Sequence, residues 1–62
     1  MTESIPEDRR REIFAALVAF QDSGLSVAAS REKAAAAHKV DAATVKAIEA
    51  EGMKNEWPPL GD

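Results

Sequence analysis

The chain has no cysteine and no tyrosine, and its aromatic side chains are limited to two phenylalanines and one tryptophan. Without cysteine, neither a disulfide nor a thiolate metal site can stabilise the fold. No apolar run approaches the roughly 18 residues of a membrane span. The acidic N-terminus also lacks the basic and then apolar order of a signal peptide. We therefore expect a cytoplasmic protein that makes no contact with a membrane.

The signatures of catalysis are missing as well. The sequence contains no glycine-rich phosphate loop, no nucleophile paired with a base and no cofactor fingerprint. The only histidine, His38, has no second histidine or cysteine with which to share a metal, and we expect it to lie half-buried at a helix crossing. Glu49 and Glu51 cannot share one helix face and so do not form a catalytic pair. We expect no enzyme activity, no cofactor, no metal and no small-molecule substrate.

A basic excess is also absent. The net charge is −3, from eight basic and eleven acidic side chains. Phosphate neutralisation supplies most non-specific DNA affinity, so this balance argues against tight, independent DNA binding while allowing one locally basic face. The run Arg9-Arg10-Arg11 is flanked by Glu7, Asp8 and Glu12, which favours a solvated helix face over a phosphate contact.

What the sequence does contain is one short helix-forming domain over residues 1–62, with much of its 45% hydrophobic content supplied by alanine. We predict an all-α, three-helix domain. Its first helix should span about residues 5–21, opened by a capping box of Ser4 and Glu7 with Pro6 in the first turn. Apolar residues at helical spacing predict its buried face: Ile13, Phe14, Leu17, Val18 and Phe20. Asp22-Ser23-Gly24 is a stop signal.

The second half predicts two further helices. Ser26 and Ser30 are both candidate N-caps for the second helix, and the sequence does not choose between them. The alanine-rich stretch of residues 31–38 favours helix. Lys39 falls in a turn where glycine is common, because positive φ is cheap only for glycine. Asp41 is a good N-cap for the third helix.

The sequence does not decide where the third helix ends. Gly52 either caps the helix or lies inside a longer one that reaches Glu56. Residues 57–62 should form an extended, proline-rich tail. Within that tail, Trp57 either folds back over the alanine-rich core or, with Leu60, forms an exposed apolar anchor for a partner.

Residues 30–56 carry the spacing of a helix-turn-helix. Ala35 is the small residue at the helix crossing, Val40 follows the turn, and Val45 and Ile48 hold the second helix of the motif against the first. The alternative is a generic three-helix bundle.

The segment from Ser30 to Met53 resembles the helix-turn-helix of region four of primary bacterial sigma factors, and is most similar at Val40-Asp41 and residues 45–50. The resemblance implies a bacterial protein of transcription regulation whose third helix reads DNA. It does not cover the first helix or the tail. Alanines stand where that family carries long polar side chains, at Ala42, Ala43 and Ala47, so we expect weak base readout.

Two functions remain in competition. The first is a DNA-associated transcriptional regulator that binds double-stranded DNA through Lys33, Thr44, Lys46 and Lys54. The second is a helix-turn-helix-shaped interaction module without DNA binding, whose partner is another protein or a second copy in a homodimer, with Trp57 and Leu60 as the contacts.

Overall fold

Three α-helices account for most of residues 5–58, the part of the chain that the computed structural model describes. Helix α1 spans Glu7–Asp22, α2 spans Val27–His38 and α3 spans Ala42–Asn55. Each helix packs against both of the others, and residues 5–58 contain no strand. The prediction of an all-α, three-helix domain is confirmed.

The predicted start of the first helix is wrong. The N-cap of α1 is Pro6, no side chain within residues 5–58 caps the helix, and Glu7 is its first residue rather than the third. Proline disfavours the helical region for the residue before it, so a helix cannot begin comfortably at Ile5. Ser4 lies outside the described residues. Glu7 and Asp8 still stand in the first turn, where the helix dipole favours negative charge.

The start of α2 is decided in favour of Ser26. Its hydroxyl oxygen accepts a hydrogen bond from the backbone N–H of Ala29 at 3.1 Å, so α2 begins before the predicted boundary at residue 30. Ser30 is instead fully buried inside the helix. Its hydroxyl donates to the carbonyl of Val27 at 2.8 Å and accepts from the side-chain amide of Gln21 at 3.2 Å, so burial leaves no polar atom unpaired.

All three helices end in the same way. A residue with positive φ is followed by an apolar residue whose N–H bonds back to a carbonyl five positions earlier, which is the Schellman arrangement. The φ angles are 108° at Gly24, 59° at Lys39 and 54° at Glu56. The returning hydrogen bonds run from Leu25 to Phe20 at 3.2 Å, from Val40 to Ala35 at 3.0 Å and from Trp57 to Gly52 at 2.9 Å. Only α1 uses glycine at the position that favours it.

Gly52 lies inside α3 rather than capping it. The helix continues to Asn55, and Gly52 is buried against the Phe14 ring of α1 so closely that a Cβ would overlap the ring. Asp41 does occupy the N-cap position of α3, but its side chain makes no capping hydrogen bond.

The core joins apolar residues of all three helices and is closed by Trp57. Its buried hydrophobic members are Ile13, Phe14, Leu17, Ala34, Ala35, Val45, Ile48 and Trp57. Trp57 is only 3% exposed, and its ring meets Phe14 edge to face, with centroids 6.1 Å apart. The guanidinium groups of Arg10 and Arg11 lie 6.0 and 5.3 Å from the indole centroid. Trp57 therefore folds back over the core, and it is not an exposed anchor in this structure.

Candidate nucleic-acid interface on helix α3

All but one of the exposed residues of α3 form one continuous strip, which we call the outward face of α3; the exception is Asn55, the last residue of the helix. Its members are Ala42, Ala43, Lys46, Ala47, Ala50, Met53 and Lys54. At 3.6 residues per turn these positions fall within about 140° of arc around the helix axis. Val45, Ile48 and Gly52 point the other way and are buried. The packing of α3 on the core thus decides which of its side chains can reach a partner.

No carboxylate lies on the outward face of α3, because both glutamates of the helix are turned to its sides and paired. Glu49 Oε1 lies 2.8 Å from a guanidinium nitrogen of Arg31 in α2. Glu51 receives two hydrogen bonds from Arg10 in α1, at 2.9 and 3.0 Å. This bidentate pairing both orients and neutralises the Glu51 carboxylate. The charge left on the outward face is that of two lysines.

Lys46 and Lys54 are the two predicted DNA contacts that share this face. They are eight residues apart, about 12 Å along the helix axis. Neither ammonium group forms an ion pair with any residue between 5 and 58. They are therefore available to solvent or to an anionic partner.

Thr44 and Lys33 do not join them. Thr44 is half-buried and stands about 200° around α3 from Lys46, so it borders the packed side of the helix. The Lys33 ammonium lies 6.0 Å from the centroid of the Phe20 ring of α1, on the side of α2 away from Arg31. The last predicted contact, Leu60, lies outside the described residues.

A shallow cleft between α2 and the first turn of α3 brings in residues that the sequence did not single out. Ala28, Arg31 and Glu32 line it from α2, and Ala42, Ala43 and Lys46 line it from α3. Glu32 has no ion-pair partner in the described part of the chain. The edge of the outward face near Lys46 is therefore less positive than the lysine alone suggests.

The arginine run of α1 is engaged within the protein. Arg11 pairs with Glu7 at 2.9 Å, as a solvated helix face predicts, whereas Arg10 reaches across to Glu51. Arg9 donates to the backbone carbonyl of His38 at 3.3 Å. The pairing of Arg10 with Glu51 was not predicted, because the two residues are 41 positions apart in the sequence. Three adjacent arginines therefore do not form a free phosphate-binding surface.

The described residues hold no cluster of metal-ligating side chains, and His38 is half-buried as expected. None of the three helices combines the length and the apolar character needed to cross a membrane.

Comparisons of the chain with protein-family models, with curated proteins and with solved structures find no match.

Proposed function

We propose that this chain is a small helix-turn-helix protein that docks α3 in the major groove of double-stranded DNA and acts as a DNA-associated transcriptional regulator. The residues from Ser30 to Met53 support this through their resemblance to region four of bacterial sigma factors. A second support is the short link of residues 39–41 between α2 and α3, which turns at the left-handed Lys39. Fold alone does not establish function, so the argument depends on the surface.

The single observation that carries the proposal is the charge of the outward face of α3. It bears Lys46 and Lys54 and no carboxylate, although the whole chain has a net charge of −3. A carboxylate in the groove would meet phosphates at short range and repel them. Arginines from two other helices neutralise Glu49 and Glu51, which leaves α3 as a locally basic helix.

The acidic side chains of α1 would help to orient the protein, although Glu32, Asp41 and Glu56 are also exposed and form no ion pair within residues 5–58. Asp8, Glu12 and Asp22 are exposed on α1 and form no ion pair within residues 5–58. Because DNA repels this side and attracts the lysines of α3, the field of the protein turns the outward face towards the duplex.

Base discrimination would be weak. Four of the seven residues on the outward face are alanines, which offer a methyl contact to thymine at most. A bidentate side chain gives roughly 1–3 kcal/mol of discrimination at a base pair. Phosphate contacts would therefore supply most of the affinity. The small alanine side chains would let the backbone of α3 lie close to the floor of the major groove.

The test is a salt series of DNA binding followed by fluorescence anisotropy on a labelled duplex. Affinity should fall with salt, and Lys46→Ala should weaken binding and flatten the log–log slope by about 0.9, the value of one phosphate contact. Lys33→Ala is the matched control, since it removes the same charge from a lysine that packs on Phe20. An absence of binding to random and promoter duplexes at low salt would refute the proposal, as would equal effects of the two substitutions.

A protein-interaction module is the second candidate, and the exposure of Met53 favours it. Met53 is 58% exposed and lies beside Ala50 on the outward face. Methionine and alanine suit a packed helix interface with another protein or with a second copy of the chain. Loss of self-association or partner binding in Met53→Ser, together with no DNA binding, would establish this function in place of the first.

A further inference from the structure

A groove lies between the start of α1 and the segment that joins α2 to α3. Its volume is about 430 Å³, within the range of roughly 300–1,000 Å³ typical of ligand clefts. Its lining is apolar at Ile5, Pro6, Ile13 and Val40 and charged at Asp8, Arg9 and Glu12. None of these residues belongs to the outward face of α3.

The charge beside the apolar lining is negative on balance, because two carboxylates, of Asp8 and Glu12, outnumber the one guanidinium of Arg9. The guanidinium of Arg9 is directed at the carbonyl of His38, at the end of α2. The carboxylate of Asp8 accepts a hydrogen bond from the backbone N–H of Arg9 at 2.8 Å, but neither Asp8 nor Glu12 has an ion-pair partner in residues 5–58. Both side chains are exposed at the groove edge. The groove therefore combines an apolar wall with two available carboxylates.

We infer that this groove docks a short segment of a partner protein in which aliphatic side chains are flanked by lysine or arginine. An aliphatic side chain would pack against Ile5, Pro6 and Val40, above the buried Ile13, and lose contact with water. Cationic side chains beside it would meet Asp8 and Glu12, which gives the complementarity that fixes register and partner choice.

Other occupants fit the groove less well. DNA phosphates would be repelled by the two carboxylates. A small ligand would leave much of its surface in water, because the groove opens along the exposed side of α1 at Asp8 and Glu12. A peptide segment extends along such an opening and covers it. This site would give the protein a binding partner at residues that do not belong to the outward face of α3.

The test is an NMR titration of the full chain with a short synthetic peptide of leucine and lysine residues. The methyl signals of Ile13 and Val40 should shift. Asp8→Asn and Glu12→Gln should each weaken peptide binding about twofold to fivefold, the effect of one exposed charge pair. Asp22→Asn is the matched control, because Asp22 is equally exposed but stands at the far end of α1. Circular dichroism establishes that each variant keeps its helices.

Several outcomes would overturn the inference. Equal weakening by Asp22→Asn would mean unspecific attraction between a basic peptide and an acidic protein. Binding that survives replacement of the leucines of the peptide by serine would exclude a role for the apolar wall. Shifts confined to Met53 would move the site to α3. Shifts of Ile13 and Val40 that follow protein concentration without peptide would assign the groove to a second copy.

Discussion

Substitution of Gly52 by alanine sets two effects of opposite sign against each other. Alanine is favoured over glycine in a helix interior by about 0.8–1.0 kcal/mol, so propensity alone predicts a more stable protein. The structure predicts the reverse. A Cβ at residue 52 would overlap three atoms of the Phe14 ring, Cγ, Cδ1 and Cε1, rather than the flexible end of a side chain.

The ring has little freedom to move away. Phe14 is 1% exposed and its ring contacts Trp57 edge to face, so displacement of the ring would disturb the indole that closes the core. Overpacking of this kind costs about 1–3 kcal/mol, and sometimes more. After the propensity gain is subtracted, we expect Gly52→Ala to destabilise the fold by up to about 2 kcal/mol. For a domain of this size that lowers Tm by up to about 16 °C.

Thermal unfolding followed by circular dichroism measures the change, and a double-mutant cycle identifies its cause. In a Phe14→Leu background the smaller side chain leaves room for the Cβ, so Gly52→Ala should become less harmful or even stabilising. Ala50→Gly, on the outward face of the same helix, calibrates the propensity effect alone and should cost about 1 kcal/mol. A rise in Tm for Gly52→Ala in the wild-type background would refute the packing argument.

Two further predictions concern the helix ends. Trp57→Ala should lower the free energy of unfolding by about 3–5 kcal/mol, enough to unfold so small a domain. In the native protein the indole emission should be blue-shifted and protected from quenchers, and a water-exposed spectrum would contradict the burial of Trp57. Lys39→Gly and Glu56→Gly should each raise stability by about 1 kcal/mol in denaturant titrations, because glycine relieves the cost of positive φ. Gly24→Ala is the control and should lower stability; no gain from either glycine substitution would contradict the backbone assignment.

Much of the fold was predictable because it depends on residues within a few positions of one another. The apolar spacing of Ile13, Phe14 and Leu17 located the buried side of α1, and Asp41 located the start of α3. The turn at Lys39 was predicted as well, although nothing nearby indicated that Glu56 would adopt the same left-handed conformation. The first helix begins at Glu7 rather than at Ile5, because proline restricts the residue before it.

The candidate surface was only partly predictable. Helical periodicity places Lys46 and Lys54 on one side of α3, but whether that side is exposed depends on how α3 packs. Packing exposes the side that bears Lys46 and Lys54 and leaves Thr44 and Lys33 away from it.

The sequence by itself determined three helices and their approximate bounds, since propensity, periodicity and capping are local. Only the tertiary structure decided which charges remain available. Arg10 reaches Glu51 and Arg31 reaches Glu49 from other helices, and Gly52 admits the Phe14 ring. These contacts join residues 18 to 41 positions apart, so they depend on how the helices pack against one another. No local pattern encodes that packing.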